Sequence, residues 1–586
     1  MAEKLKKNQV ARKIFKPIIM VAILVALLNG AFLFSLSLLS GGFEWWISEI
    51  NTEIIYSAIL KYKDFPFFSY YHNGGSMIIQ DPQGHLLSPA TPLILIFGPQ
   101  IGLRLMTLVW GFIGCLSAFY WLRSKVGDLA ALFSASAWAL SMVFIWHIVV
   151  GNDMFIWHLG LPLFLIAIEK TVLKPSWKVT SLSALLVAIY ILGPSLHSLV
   201  YLIIPTSIIW FIFLFVKNYK DINKKQLLIH CLAIIVIGVT IALPKINAWL
   251  LLDMSRDTVQ EGSILFDDAL QSLLDVRPSR GPLRYTQENV LFPFFSGNVA
   301  LQPIASIIAI IGLIFGWRKK NKKTKIFWFA LTLLLTGILI STAEPIWVTF
   351  RWITQDSFRA PARFLAISAF GLAILAGIGT ASILEYIPKL KTVIAGLLIA
   401  STFIIGIIWI NQATSVTMPS FSIQAGFTRV NTKIVTGPLT SLSNFNISSI
   451  KTEYTNNILS DLITYTDVPI VGSGAKKVYL KQRLKIFAEN GGQYYLSPEL
   501  APDGRIRVYH TSITAKDLQP EEIAHIRLNP APLGETIHTT PENANVTLEI
   551  IDDELVLTNH ENYAIEMVEI KPNSPVHPAI WIISII

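Results

Sequence analysis

The residues able to do chemistry in this chain are few, and they sit between long apolar runs. The densest group of carboxylates, Glu44, Glu49, Glu53, Asp64 and Asp81, frames the stretch "FPFFSYYHNGGSMIIQDPQGHLLSP". Carboxylates in such a setting suit a general base acting on an acceptor hydroxyl, or the holding of a divalent cation. Tyr70, Tyr71, His72 and the Gly74-Gly75 pair are placed to line a polar pocket beside them. The same composition fits a solvated interfacial loop rich in aromatic belt residues, and both readings stand.

Two more positions lie at the ends of apolar runs. Asp153 is in a turn of a few residues within "VVGNDMFIWHLGLP", and His197 follows the Gly193-Pro194 break in "ILGPSLHSLVY". A surface acid in a turn is often inert, and a lone His is more often a hydrogen-bonded packing residue than a ligand. His72, His147, His158 and His197 show no HxxxH spacing, so a histidine metal site lacks its signature and the metal is left undetermined. In "FRAPARF", Arg359 and Arg363 are four apart, with Arg351 shortly before. On a helix that spacing puts both guanidinium groups on one face. Two planar donors on one face suit a phosphate or pyrophosphate, which Arg grips bidentately; the alternative is a pair that anchors a helix in lipid headgroups. The nucleotide-binding patterns GxGxxG and GxxxxGK[ST] are absent, as is the GxSxG nucleophile elbow. Cys115 and Cys231, the two cysteines, lie inside apolar runs and offer neither a disulfide framework nor a zinc site.

The elements that must position these groups are read from composition. Of 586 residues, 53% are hydrophobic and 15% charged, against about 25% charged in soluble domains. The apolar residues fall in runs of the length that crosses a bilayer. A soluble enzyme and a disordered chain are both excluded. About eleven spans are expected, at 17–40, 102–122, 129–149, 154–169, 179–193, 198–216, 227–247, 302–317, 326–343, 362–384 and 393–411. The stretch 179–216 must break at Gly193-Pro194, where proline lacks a donor. "SLLSGGFEWW" offers no small-x-small cleavage site, so the first run is expected to be a retained helix.

Charge fixes the expected orientation. The formal net charge is +9, yet from residue 412 onward thirteen Lys and Arg face eighteen Asp and Glu. The basic residues cluster in alternate short loops: Lys4 to Lys16, Arg123 and Lys125, Lys170 to Lys178, Lys217 to Lys225, Arg318 to Lys325, then Lys389 and Lys391. The loops around Asn152 and Ser195 carry none. This is the positive-inside pattern, so the excess is a topology signal and not a nucleic-acid footprint. The N-terminus (1–16) is expected in the cytoplasm and residues 17–411 in the membrane, with outer loops at 41–99, 249–300 and 341–364. Residues 412–586 are expected as an extracytoplasmic mixed α/β domain with a β majority, from alternations such as "GRIRVYH", "VTLEII" and "DELVLTN". The closing "AIWIISII" is too short to span; a buried strand or a helix start would each accommodate it.

The order of these parts, an early acid, "PFFSYYHNGG", "LLSPATPL", "GND…W…LP…IEK", "GPSLHS", "LFPFFSGNVALQPIASIIAIIGL" and "FRAPARF", resembles the YfhO-like branch of the polytopic type-C glycosyltransferase (GT-C) superfamily across most of residues 17–411. The resemblance implies a helical membrane module that takes a polyprenyl-phosphate-linked sugar as donor and passes the sugar to an acceptor on the outer face of the cell membrane. It places the catalytic acid at Glu44, with Glu49 as rival, and a second acid at Asp153. Arg359 and Arg363 correspond to an R-x-P-x-R element assigned to the donor phosphate. Many GT-C enzymes carry an early Asp-Asp or DxD/ExD pair, and "FEWWISEINTE" offers only isolated Glu residues, which leaves the base and any divalent cation open. No cofactor is otherwise implied. Two other classes share the helical pattern: a transporter or flippase of a lipid-linked glycan, and a non-catalytic membrane scaffold. Acids gathered at the outer surface, no clear internal repeat and a large outer domain favour the enzyme.

Overall fold

The computed structural model describes, with short gaps, residues 48–69, 76–250, 266–274, 300–317, 322–353, 361–423 and parts of 486–584. The chain divides into two compact units. One comprises Met1–Leu39, Arg104–Ile241 and Asp253–Thr417, the other Ser40–Leu103, Ala242–Leu252 and Met418–Ile586.

The first unit is helical. Among the described residues seven helices are long and apolar enough to cross a membrane: Ile101–Val126, Asp128–Ile148, Asp153–Leu173, Leu196–Lys217, Lys224–Ile241, Pro361–Tyr386 and Lys391–Ile410. This is a multi-pass membrane protein. Shorter apolar helices at Trp177–Leu192, Pro303–Gly316 and Ile326–Thr342 fall on three further expected spans. The first expected span lies outside the described residues, so eleven stays an expectation. The seventh expected span stops at Ile241, short of the expected 247, and the helix of the last expected span runs on to Ile423.

Local chemistry sets the helix ends. Gly127, at φ 91°, makes the tight turn between two spans with a backbone only glycine adopts freely. The helix at Trp177 opens on Ser176, whose Oγ accepts from the Val179 N–H. The Asp128–Ile148 span is interrupted at Leu140 and Ser141. There the Gln302 amide donates to the Leu140 carbonyl at 3.1 Å and to the Thr402 carbonyl at 2.7 Å, while Met142 N–H donates to Ala300 O at 3.0 Å. Backbone groups released by the break are thus satisfied inside the protein, as apolar surroundings require.

Pro361–Tyr386 is the central helix, and Leu365 to Ser382 are all buried. It is built for close approach. A Cβ on Gly379 would collide with the Ile308 carbonyl, and one on Gly312 with the Leu375 carbonyl. Ser134 donates to Ala373 O at 2.6 Å and Ser368 to Leu334 O at 2.8 Å. Small residues and interhelical hydroxyls are the usual means of helix association where lipid removes the hydrophobic drive.

In the second unit, Ile54, Ile55, Ile78, Ile79, Leu86 and Ala248 form an apolar cluster, with Phe67 and Ile580 packed against it. Strands Phe68–Ser69 and Ser76–Met77 pair antiparallel. Helix Leu243–Leu250 lies against the 3-10 turn Ile78–Gln80, and buried Lys245 Nζ donates to the Gly84 carbonyl at 3.2 Å. Burial lowers the Lys245 pKa from 10.5 to about 8, with the Asp81 carboxylate opposing. The unfolded chain therefore holds this proton more tightly than the folded one, and stability rises as pH goes from about 8 toward 10.5. The rise is on the order of 3 kcal/mol. Unfolding midpoints in detergent at pH 7 and 9.5 check it, and in Lys245→Met the rise is expected to vanish.

Among the described residues the C-terminal strands form a short antiparallel pair, Ile486–Phe487 with Gln493–Tyr494, and two larger antiparallel sheets. One orders Ile523–Arg527, Glu554–Asn559 and Val546–Ile551; the other orders Ile506–Val508, Ile513–Leu518, Ile565–Pro572 and Glu535–Thr540. Val568 and Ile570, two apart on one strand, are both buried, as one face of a half-buried strand is. Of the closing run, the two described residues, Ile580 and Ser584, have helical backbone.

Candidate functional site

The ends of four spans meet at one end of the helical unit. Asp128–Ile148 arrives there, and Asp153–Leu173, Leu196–Lys217 and Pro361–Tyr386 begin there. The described ion pairs, Arg123–Asp128 at 3.2 Å and Lys125–Glu169 at 2.9 Å, lie at the opposite end of these spans.

Each of the three segments that begin there departs from α geometry in a way that aims its side chains. Asp153–Gly160 is a 3-10 helix, so Phe155 and His158, three apart, share a face. Gly160 lets it pack: a Cβ there would strike the Tyr190 hydroxyl, which donates to the Trp157 carbonyl at 2.7 Å. Gly160→Ala is expected to lower stability by about 2 kcal/mol, as overpacking does, and Tyr190→Phe in the same chain should recover part of it in a thermal-melt cycle.

Beyond the Gly193-Pro194 break, Ser195 Oγ donates to the Tyr190 carbonyl, and one α turn (Leu196–Ser198) is followed by a π turn (Leu199–Ile203). The third segment, Pro361–Phe364, is again 3-10 and carries Arg363; Ser341 Oγ donates to the Pro361 carbonyl at 2.9 Å.

These segments bring their side chains onto Phe155. The His147 ring stacks on it at 3.8 Å and 2°, His158 at 5.0 Å, and His197 lies at 6.2 Å. Arg363 Cζ stands 5.3 Å from the Phe155 centroid and 5.5 Å from that of Tyr201, which stacks with His197 at 5.9 Å. A guanidinium between two aromatic rings is held by their negative faces. His158 Nδ1 is 2.7 Å from Ser198 Oγ, which donates to the Met154 carbonyl at 2.9 Å. His147, His158, Ser198 and Tyr201 are all buried. Among the described residues Arg363 forms no ion pair, and His147 Nδ1, His158 Nε2 and Arg363 Nε have no hydrogen-bond partner.

Of the residues expected from sequence, Asp153, His197 and Arg363 come to this one end. Asp153 is buried and opens the 3-10 turn two residues before Phe155. The backbone of Arg351 lies in the helix Glu344–Ile353. Glu44, Glu49, Tyr70, Tyr71, His72, Gly74, Gly75 and Arg359 lie outside the described residues. Not expected were the roles of Phe155, His147, His158, Ser198 and Tyr201; a three-residue period read across "DMFIWHLG" pairs Phe155 with His158. Among the described residues no three His, Cys, Asp or Glu side chains are grouped to hold a metal ion.

The chain is similar in structure to solved type-C glycosyltransferases. ArnT from Cupriavidus metallidurans, solved bound to undecaprenyl phosphate, is 12% identical with a TM-score of 0.41, over 93% of this chain and 98% of that one. The oligosaccharyltransferase of Archaeoglobus fulgidus in its apo form is 11% identical with a TM-score of 0.34, over 69% and 56%. The arabinosyltransferase EmbB of Mycobacterium smegmatis is 11% identical with a TM-score of 0.31, over 94% and 63%. Scores this low mark a remote likeness that carries no functional weight. No protein-family model and no curated protein matches the sequence.

Chemically, the arrangement offers one fixed cation in an aromatic cage, beside imidazole nitrogens with unmet hydrogen-bonding capacity. That combination suits a ligand with anionic oxygens next to neutral polar groups.

Proposed function

We propose that this chain is a GT-C-type glycosyltransferase of eleven spans in the cytoplasmic membrane, with its N-terminus inside and its C-terminal domain outside. It moves a sugar from a polyprenyl-phosphate donor to an extracytoplasmic acceptor. The observation that carries the reading is Arg363: a charge set among span ends, between Phe155 and Tyr201, with no described carboxylate paired to it. Charged groups at such positions in membrane proteins mark substrate sites, and a guanidinium favours the oxygens of a phosphate.

In the reaction, one carboxylate, for which Glu44, Glu49 and Asp153 are the candidates, takes the proton of an acceptor hydroxyl. The hydroxyl oxygen attacks the anomeric carbon, the bond from that carbon to the phosphate oxygen breaks, and the configuration inverts. The bond's electron pair leaves with the polyprenyl phosphate, whose growing charge Arg363 and Arg359 stabilise. Tyr70, Tyr71, His72, Gly74, Gly75 and His197 are candidates for contacts with substrate, Arg351 for the phosphate side, and a divalent cation at the loop carboxylates is compatible with the scheme. The lipid tail lies among the spans.

Proteoliposomes supplied with polyprenyl-phosphate sugars and a hydroxyl acceptor test the proposal. Transfer is the expected result. Reorientation of the lipid without transfer would make the chain a flippase, and neither outcome would make it a scaffold.

A further inference from the structure

One of the unmatched atoms around Phe155 has its role decided by proton counting. Ser198 Oγ lies 2.9 Å from the Met154 carbonyl oxygen and 2.7 Å from His158 Nδ1. A carbonyl only accepts, so the single hydroxyl proton goes to Met154 and Oγ accepts its other bond. His158 Nδ1 therefore carries the hydrogen, and in the neutral ring Nε2 is left as an acceptor. That nitrogen belongs to a side chain 0% exposed and has no partner among the described residues. Most buried polar groups are matched, and an unmatched acceptor calls for a donor from a ligand or an ordered water.

We propose that His158 is a ligand-binding residue whose Nε2 accepts a hydrogen bond from a hydroxyl of the donor's sugar, with Ser198 as the residue that fixes the ring. This rests on the transferase reading and adds to it the group that recognises the sugar. The chemistry selects the ligand class. His158 and Arg363 face the same Phe155 ring, one asking for a hydroxyl proton and the other for an anionic oxygen. A sugar phosphate supplies both; an alkyl phosphate supplies only the second.

The test is lipid binding by the full-length protein in nanodiscs, with bare undecaprenyl phosphate compared with undecaprenyl phosphate carrying glucose, mannose or arabinose. His158→Phe is expected to weaken at least one sugar-linked lipid about tenfold while leaving the bare lipid within about twofold. His158→Gln, which restores a polar group near the Nε2 position, should recover most of the loss, and Ser198→Ala should show part of it. Should His158→Phe fail to fold by its melting curve, Ser198→Ala decides on the same comparison. Equal weakening of bare and sugar-linked lipids, or no weakening of any, overturns the role of His158; so does a wild-type protein that holds no sugar-linked lipid more tightly than the bare one. In each of these cases the transferase reading survives if Arg363→Ala still weakens the bare lipid. A wild-type protein that binds no undecaprenyl phosphate, or an Arg363→Ala variant that binds it as well as the wild type, removes both.

Discussion

Replacing Arg363 by alanine is expected to slow sugar transfer in proteoliposomes by about 10²–10³-fold, the range seen when one donor to a developing oxyanion is removed. The variant should still fold. Arg363 forms no ion pair among the described residues, and its described contacts are with the Phe155 and Tyr201 rings; contacts of that kind hold about 0.5–2 kcal/mol. Arg363→Lys keeps the charge and loses the planar fork, so its transfer should lie between the two, about tenfold below wild type. The ordering arginine, lysine, alanine in rate, with melting temperatures close together, would tie the defect to the leaving phosphate. Transfer at the wild-type rate in Arg363→Ala would end the phosphate assignment.

The largest effect on stability is expected at the crossing of Pro303–Gly316 with the central helix. Gly312 faces the Leu375 carbonyl and Gly379 the Ile308 carbonyl, backbone against backbone. Atoms of the backbone cannot rotate aside as a side chain can, so any larger residue must push the helices apart. Gly379→Leu and Gly312→Leu should each lower stability by about 3 kcal/mol, at the upper end for overpacked sites. Gly396 provides the contrast, because a Cβ there meets nothing within 4 Å; Gly396→Ala should leave stability unchanged or raise it by up to about 1 kcal/mol. Thermal unfolding in one detergent compares all three. A Gly379→Leu protein that melts with the wild type would mean that the two helices do not approach as described.

The membrane character was legible because it depends on quantities a sequence carries openly: the length of apolar runs and the placement of Lys and Arg. The helix break at Gly193-Pro194 was legible for the same reason, since proline removes a donor wherever it stands. The site was legible only where polar residues stand at the ends of runs. Asp153, His197 and Arg363 announce themselves by position. His147 and His158 do not, because single imidazoles inside apolar stretches read as packing and their 3.6-residue neighbours are apolar. What joins His158 to Phe155 is the three-residue period of a 3-10 turn, which nothing in the composition signals. Ser198 is hidden differently: its partners Met154 and His158 lie about forty residues away, a pairing that only the folded chain creates. Glu44, Glu49 and Arg359 lie outside the described residues.

The π turn at Leu199–Ile203 sits between His197 and the apolar remainder of its span. A π turn accommodates one residue more than the α turn it replaces, which shifts the phase of everything on one side of it by about 100° relative to the other. The polar head of this helix and its lipid-facing tail are thereby uncoupled in angle. Deleting a single residue within the turn would therefore leave composition and hydropathy almost untouched while swinging His197 and Ser198 a quarter of the way round the helix, so a chain differing by that one position could keep the whole membrane scaffold and hold none of the alignment at its end.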